Sequence, residues 1–113
     1  MKITRSVVGK IPVFHLAGRL DATSSPLLGE ALLPLLEVAD QHIIFDCAQL
    51  SYVSSAGLRV LISALRQLAG QGGGFALAAL TPAVHALFVL AGVDVLFKLD
   101  PSVDAAAARI LIS

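Results

Sequence analysis

Charge and cysteine are both scarce in this sequence. Of its 113 residues only 14% are charged, against about 25% in an ordinary soluble domain, so much of the chain must be buried. The 8 basic and 8 acidic residues cancel, and neither sign is clustered. That excludes a nucleic-acid footprint, which needs a basic patch. The single cysteine, Cys47, excludes an internal disulfide framework and fits a reducing compartment. Beside a strand-like run, its simplest role is that of a small buried hydrophobe. The first residues scatter Lys2, Arg5 and Lys10 through what would be the apolar part of a signal peptide, so no secretory signal is expected and the expected location is cytoplasmic. Residues 67 to 93 lack Asp, Glu, Lys and Arg, a run long enough to span a bilayer if it formed one helix. Gly70 to Gly74 and Thr81-Pro82 break it into a short strand and a short helix instead.

The length suits one domain, residues 1–113. Ile3 to Val8 and Ile11 to Ala17 read as two strands joined at Gly9-Lys10, a plausible hairpin. Gly18-Arg19-Leu20-Asp21 leads to Thr23-Ser24-Ser25-Pro26, which starts a helix carrying Leu28, Leu32, Leu35 and Leu36 at helical spacing. Pro34 should kink that helix or end it early. His42 to Asp46 reads as a strand buried on both faces. The clearest helix follows, with Leu58, Leu61, Ile62, Leu65, Leu68 and Ala69 on one face and Arg59, Ser63, Arg66 and Gln67 on the other. Phe75 to Leu80 reads as a strand, Thr81 to Ala91 as a helix stopped by Gly92, and Val95 to Leu99 as a last strand. Asp100-Pro101 should cap a final helix with Asp104 early and Arg109 late, as its dipole favours. The pattern is an α/β domain with a mixed sheet and about four helices.

Enzyme motifs are missing. Gly70 to Gly74 lacks the lysine of a phosphate-binding loop, and the residue two before Ser55 is Val53 rather than the glycine of a nucleophile elbow. His15, His42 and His85 are scattered, and Cys47 near His42 is too little for a metal site, so no metal or other cofactor is expected. What remains is Ser54-Ser55-Ala56-Gly57, placed between a strand-like segment and the N-terminus of the amphipathic helix. Two readings stay open: a serine that caps the helix and nothing more, or a hydroxyl open to phosphorylation, whose phosphate would meet the N–H groups of Gly57 and Leu58.

Order and spacing along essentially the whole chain resemble the STAS domain of bacterial anti-sigma factor antagonists. A hairpin leads to a Gly-x-Leu-Asp loop, matched by Gly18-Arg19-Leu20-Asp21; a buried strand runs into a segment like Asp-Ser-Ser/Thr-Gly-Leu, matched by Ser54-Ser55-Ala56-Gly57-Leu58. A later Gly-Gly pair followed by Pro-x-Val appears as Gly73-Gly74 and Pro82-Ala83-Val84, with Leu87-Phe88 beyond. The resemblance implies that Ser55 is the phosphorylated serine. Two positions depart from the family pattern: its acid is Ser54 here, and its second hydroxyl is Ala56. Asp21, retained, is implied to lie near the phosphosite as a hydrogen-bonding or partner-contact residue, or to cap the following helix.

The implied mechanism is a partner switch in signal transduction and transcription regulation. The bare chain would bind a serine kinase that is also an anti-sigma factor and carries its own ATP site; phosphorylation of Ser55 would release it, and a serine phosphatase would reset the switch. The implied partner surface comprises Asp21, Ser54, Ala56, Gly57, Arg59, Val60 and Ser63, with Val60 as an apolar contact off the buried stripe. No nucleic acid and no direct membrane insertion are expected. The rival reading is a STAS-like subunit of a larger assembly, such as a transporter accessory protein, with no phosphorylation.

Overall fold

Gly9 and Lys10 both adopt positive φ, 54° and 71°, the backbone that a two-residue hairpin turn requires. They join strand β1 (Lys2–Val8) to β2 (Ile11–Leu20) in an antiparallel pair. The computed structural model describes residues 1–112. After the hairpin, strands and helices alternate: α1 (Ser25–Leu36), β3 (His42–Val53), α2 (Ser55–Gly70), β4 (Gly74–Ala78), α3 (Pro82–Leu90), β5 (Lys98–Asp100) and α4 (Val103–Ile112). The sheet runs in the order β1-β2-β3-β4-β5, parallel from β2 onward. The mixed sheet and four helices match the expected fold class.

Alternation along the strands sorts side chains to two unequal faces. One face carries Phe14, Leu16, Ile43, Phe45, Cys47, Phe75 and Leu77, and α1, α2 and α3 cover it with Leu28, Leu32, Leu61, Leu68, Val84 and Phe88. The five phenylalanines form a chain of rings through this core, Phe14–Phe45–Phe75–Phe97–Phe88, with successive centroids 5.9, 4.8, 5.6 and 5.5 Å apart. The other face is built from Ile11, Val13, Ile44, Ala76 and Ala78, and α4 lays Ala106 and Ala107 on it. Large rings on one side hold three helices off the sheet, while alanine on alanine lets a single helix approach closely on the other. No helix among the described residues is long and apolar enough to cross a membrane.

The structure redraws several sequence expectations. Gly18, Arg19 and Leu20 belong to β2, and Ser51 to Val53 belong to β3, because the two strands stay paired to Leu20↔Val53 and their backbone hydrogen bonds outweigh the local polar composition. Register shifts near Ala17 and Gly18, where Gly18 takes φ 99°, absorb the irregularity. α1 passes through Pro34 and stops at Leu36, within its last turn, and its capping residue Ser24 makes no side-chain cap bond. The expected strand over Val95 to Leu99 is a 3-10 turn (Asp94–Leu96) followed by the shorter β5. Val95 is 83% exposed, and Phe97 alone is buried in that stretch. Ser102, not Asp100, caps α4: its hydroxyl accepts from the Ala105 N–H at 3.0 Å. Asp100 instead receives Nε and Nη2 of Arg109 at 3.1 and 2.8 Å, tying α4 to the sheet edge.

Cys47 lies fully buried in β3, and burial, with the neighbouring Asp46 charge second, pushes its thiol up to about 12. A thiol reagent at pH 8 should therefore label the folded protein far more slowly than the denatured one. Labelling at equal rates would contradict the packing of Cys47 described here.

Candidate functional site

β2 and β3 end side by side, and their last residues pair as Leu20↔Val53. The next residue on each strand, Asp21 and Ser54, therefore emerges at neighbouring points of the same sheet end, where adjacent strands lie about 4.8 Å apart. The Ser54 N–H donates to the Leu20 carbonyl at 2.9 Å, carrying the pairing one residue past the strand. Ser54 keeps extended geometry (φ −89°, ψ 174°) and caps α2, its hydroxyl accepting from the Gly57 N–H at 3.3 Å. Where the family pattern has an acid, serine still supplies the oxygen a cap needs.

Gly57 sits in the first turn of α2 and is buried. A Cβ there would stand 2.7 Å from the Leu20 carbonyl oxygen, 2.8 Å from Leu20 Cγ and 3.1 Å from Val53 Cγ1. Any side chain would push α2 off the strand ends. Gly57 is thus a packing residue in this fold. The motif's glycine is needed because backbone meets backbone there.

With Gly57 facing inward, Ser55 faces out. It is exposed, and its hydroxyl has no hydrogen-bond partner among the described residues. Arg59 and Ser63 are exposed on the same helix, while Ala56 is partly covered. Val60 is half-buried, packs against the core, and lines a groove of about 500 Å³ between α1 and α2 with Leu33 and Leu36. Ala64, which the periodicity of larger side chains passes over, is the buried residue at the helix centre. In the bare protein the two N–H groups expected to meet a phosphate already donate, that of Gly57 to the Ser54 hydroxyl at 3.3 Å and that of Leu58 to the Ser54 carbonyl at 2.9 Å.

Asp21 spends its carboxylate on its own loop. Oδ1 accepts from the N–H groups of Thr23 and Ser24, both at 3.1 Å, and from the Ser24 hydroxyl at 3.2 Å; Oδ2 lies 3.8 Å from Nε of Arg19. The Ser24 backbone bond above all, helped by the other donors and Arg19, holds this carboxyl below its ordinary 3.8. The Ser25 hydroxyl donates to the Asp21 carbonyl. Asp21 thus closes the loop that leads into α1, adjacent to the serine segment. Arg19, in turn, stacks 4.2 Å over the ring of Tyr52.

Spacing gave no hint of a second polar cluster. On the α4 side of the sheet, Nδ1 of His15 lies 2.7 Å from Oδ2 of Asp46, and its Nε2 lies 2.7 Å from the Ser6 hydroxyl. Only the pairings Thr4↔His15 and His15↔Asp46 bring these residues together. The order of groups is that of a nucleophile, base and acid, but Ser6 is exposed on the edge strand and does not line the small hollow beside His15. Acyl transfer needs an enclosed site with donors aimed at the oxyanion; this cluster joins three strands across an open face.

The strand ends, the glycine contact and the outward serine define an α/β domain with one exposed hydroxyl at a helix start. The STAS domain family model matches residues 2–106, and the chain belongs to that family. It is 30% identical over 108 residues to BtrV of Bordetella bronchiseptica, provisionally named an anti-sigma factor antagonist, covering 96% of this chain and 93% of the relative. It is 35% identical over 79 residues to the anti-sigma-B factor antagonist of Bacillus subtilis, covering 69% and 71%. The fold is also that of the Bacillus anti-sigma factor antagonist SpoIIAA, solved unphosphorylated (TM-score 0.82, 21% identity, 99% and 98% covered) and phosphorylated (0.73, 20%, 96% and 99%).

Gly57→Ala should destabilise the protein by about 1–3 kcal/mol in chemical denaturation, the usual cost of overpacking, although alanine is the better helix former. Acid should loosen the loop before α1. The folded pKa of Asp21 is depressed, so its contribution is present above the ordinary value of 3.8 and is lost as pH falls through the lower folded value. The amide signals of Thr23 and Ser24 should follow that titration, and in Asp21→Asn they should be insensitive to it.

Proposed function

We propose that this protein is an anti-sigma factor antagonist working as a partner switch, with Ser55 as the phosphate acceptor. The observation that carries this reading is the Ser55 hydroxyl: exposed, free of hydrogen bonds among the described residues, and turned outward because Gly57 is locked against Leu20. Membership of a family whose relatives are named for anti-sigma antagonism supports it. The bare form binds an anti-sigma factor that is also a serine kinase, through the start of α2 and its outer face, with Arg59, Ser63 and Val60 in contact and Ala56 at the margin. Ser54 and Asp21 act from behind, as caps that fix the two loops.

The kinase holds ATP on its own chain. The Ser55 oxygen attacks the γ-phosphorus; the new O–P bond forms as the bond to ADP breaks, and the hydroxyl proton passes to a base on the kinase. The product carries a phosphate of about −1.5 to −2 charge, which a dry interface tolerates only if a cation meets it. The complex therefore weakens without refolding of the domain. Hydrolysis by a serine phosphatase restores the bare form.

Phosphosite mapping on protein from its native cells should find phosphate on Ser55 at a level that changes between growth and stress. Ser55→Ala should take up none and should stay bound to the kinase. Phosphate accepted normally by Ser55→Ala, or an unmodified Ser55 in every condition, would overturn the assignment.

A further inference from the structure

The start of α2 is an ordinary capped helix end, with the N–H groups of Ser55 and Ala56 left without an acceptor among the described residues. The N–H groups of Ser54, Gly57 and Leu58 already donate to the Leu20 carbonyl, the Ser54 hydroxyl and the Ser54 carbonyl, at 2.9, 3.3 and 2.9 Å. Asp21, next to the site, is negative. Helix N–H groups supply only a partial positive charge, about half an elementary charge, so fuller counter-charge for a dianion comes from a side chain, and two cations are in the neighbourhood. Arg19, near the end of β2, is engaged, stacked over Tyr52 at 4.2 Å and 3.8 Å from the Asp21 carboxylate. Arg59 is different: exposed, with no ion pair or hydrogen bond among the described residues. Glu30 of α1 lines the same groove without pairing to it.

Ser55 and Arg59 are four residues apart on one helix, a spacing that puts their Cβ atoms about 5–6 Å from each other. A guanidinium fork matches phosphate oxygens in pairs, and its long stem spans that gap. We propose that Arg59 is the internal ligand of a phosphate on Ser55, clamping it one helical turn away. This rests on the reading of Ser55 as the acceptor and adds a second half to the switch. Phosphorylation places an anion on the binding surface and also withdraws the free cation that the bare form presents between the hollows on either side of α2. The clamp leaves about one negative charge uncompensated, so the surface changes sign at that point.

The test needs neither kinase nor partner. Phosphoserine is placed at position 55 during translation, and its second ionisation is followed by phosphorus NMR in the native background, in Arg59→Gln and in Arg19→Gln. The native chain should titrate roughly 0.3 pH units lower than Arg59→Gln, the shift equivalent to an exposed ion pair of about 0.4 kcal/mol. Arg59→Lys should recover part of the shift, and about 1 M salt should shrink it. Unphosphorylated Arg59→Gln should melt like the native protein, since Arg59 supports nothing in the bare fold. Identical titrations with and without Arg59 would refute the clamp, as would a shift that follows Arg19 instead. Absence of phosphate on Ser55 in cells would leave this titration untouched, so the two readings can fail separately.

Discussion

The contact on which the site depends is that of Gly57 with the carbonyl of Leu20. An added Cβ would lie 2.7 Å from that oxygen, so helix α2 is seated against the ends of β2 and β3 as closely as backbone permits. Three consequences follow from this one approach. The Ser54 N–H reaches the Leu20 carbonyl, Ser54 becomes the cap, and Ser55 is left on the outside of the first turn. The hydroxyl is presented at a junction held by close backbone packing and the Ser54–Leu20 hydrogen bond.

The scaffold behind that junction is asymmetric. Five phenylalanine rings in sequence tie β2, β3 and β4 to α3 and to Phe97, while alanines let α4 sit close on the opposite face. The larger layer reaches the serine site through Leu20 and Val53, against which Gly57 packs.

The polar residues around the site divide their work. Asp21 and Ser54 are consumed by the backbone, each closing the loop that follows it. Arg19 is held by Asp21 and Tyr52. Ser55, Arg59, Ser63, Arg66 and Gln67 are exposed on the outer face of α2 with no hydrogen bond or ion pair among the described residues. At the position where the resembled pattern has an acid, Ser54 supplies the capping oxygen without a negative charge beside Ser55.

Much of this was legible in the residues themselves. Alternating apolar runs and helical spacing located the strands and the amphipathic helix; Thr81-Pro82 and Gly92 bounded α3 as capping chemistry requires, with the Thr81 hydroxyl accepting from the Val84 N–H at 3.3 Å. These are local effects, decided within a turn or a strand, and local order along the chain carries them. The length of β2 and β3, the turn that replaced the expected strand over Val95 to Leu99, and the capture of Asp100 by Arg109 were not legible, since each depends on a partner distant in sequence. The same holds at the site. Gly57 is written plainly in the sequence, but only the position of Leu20 makes it a packing glycine. Ser6, His15 and Asp46 meet only because three strands align. The sequence by itself determined which segments form elements and which hydroxyl stands at the start of α2; tertiary structure decided which neighbouring groups were already spent on backbone hydrogen bonds, because that depends on strand register and close approach.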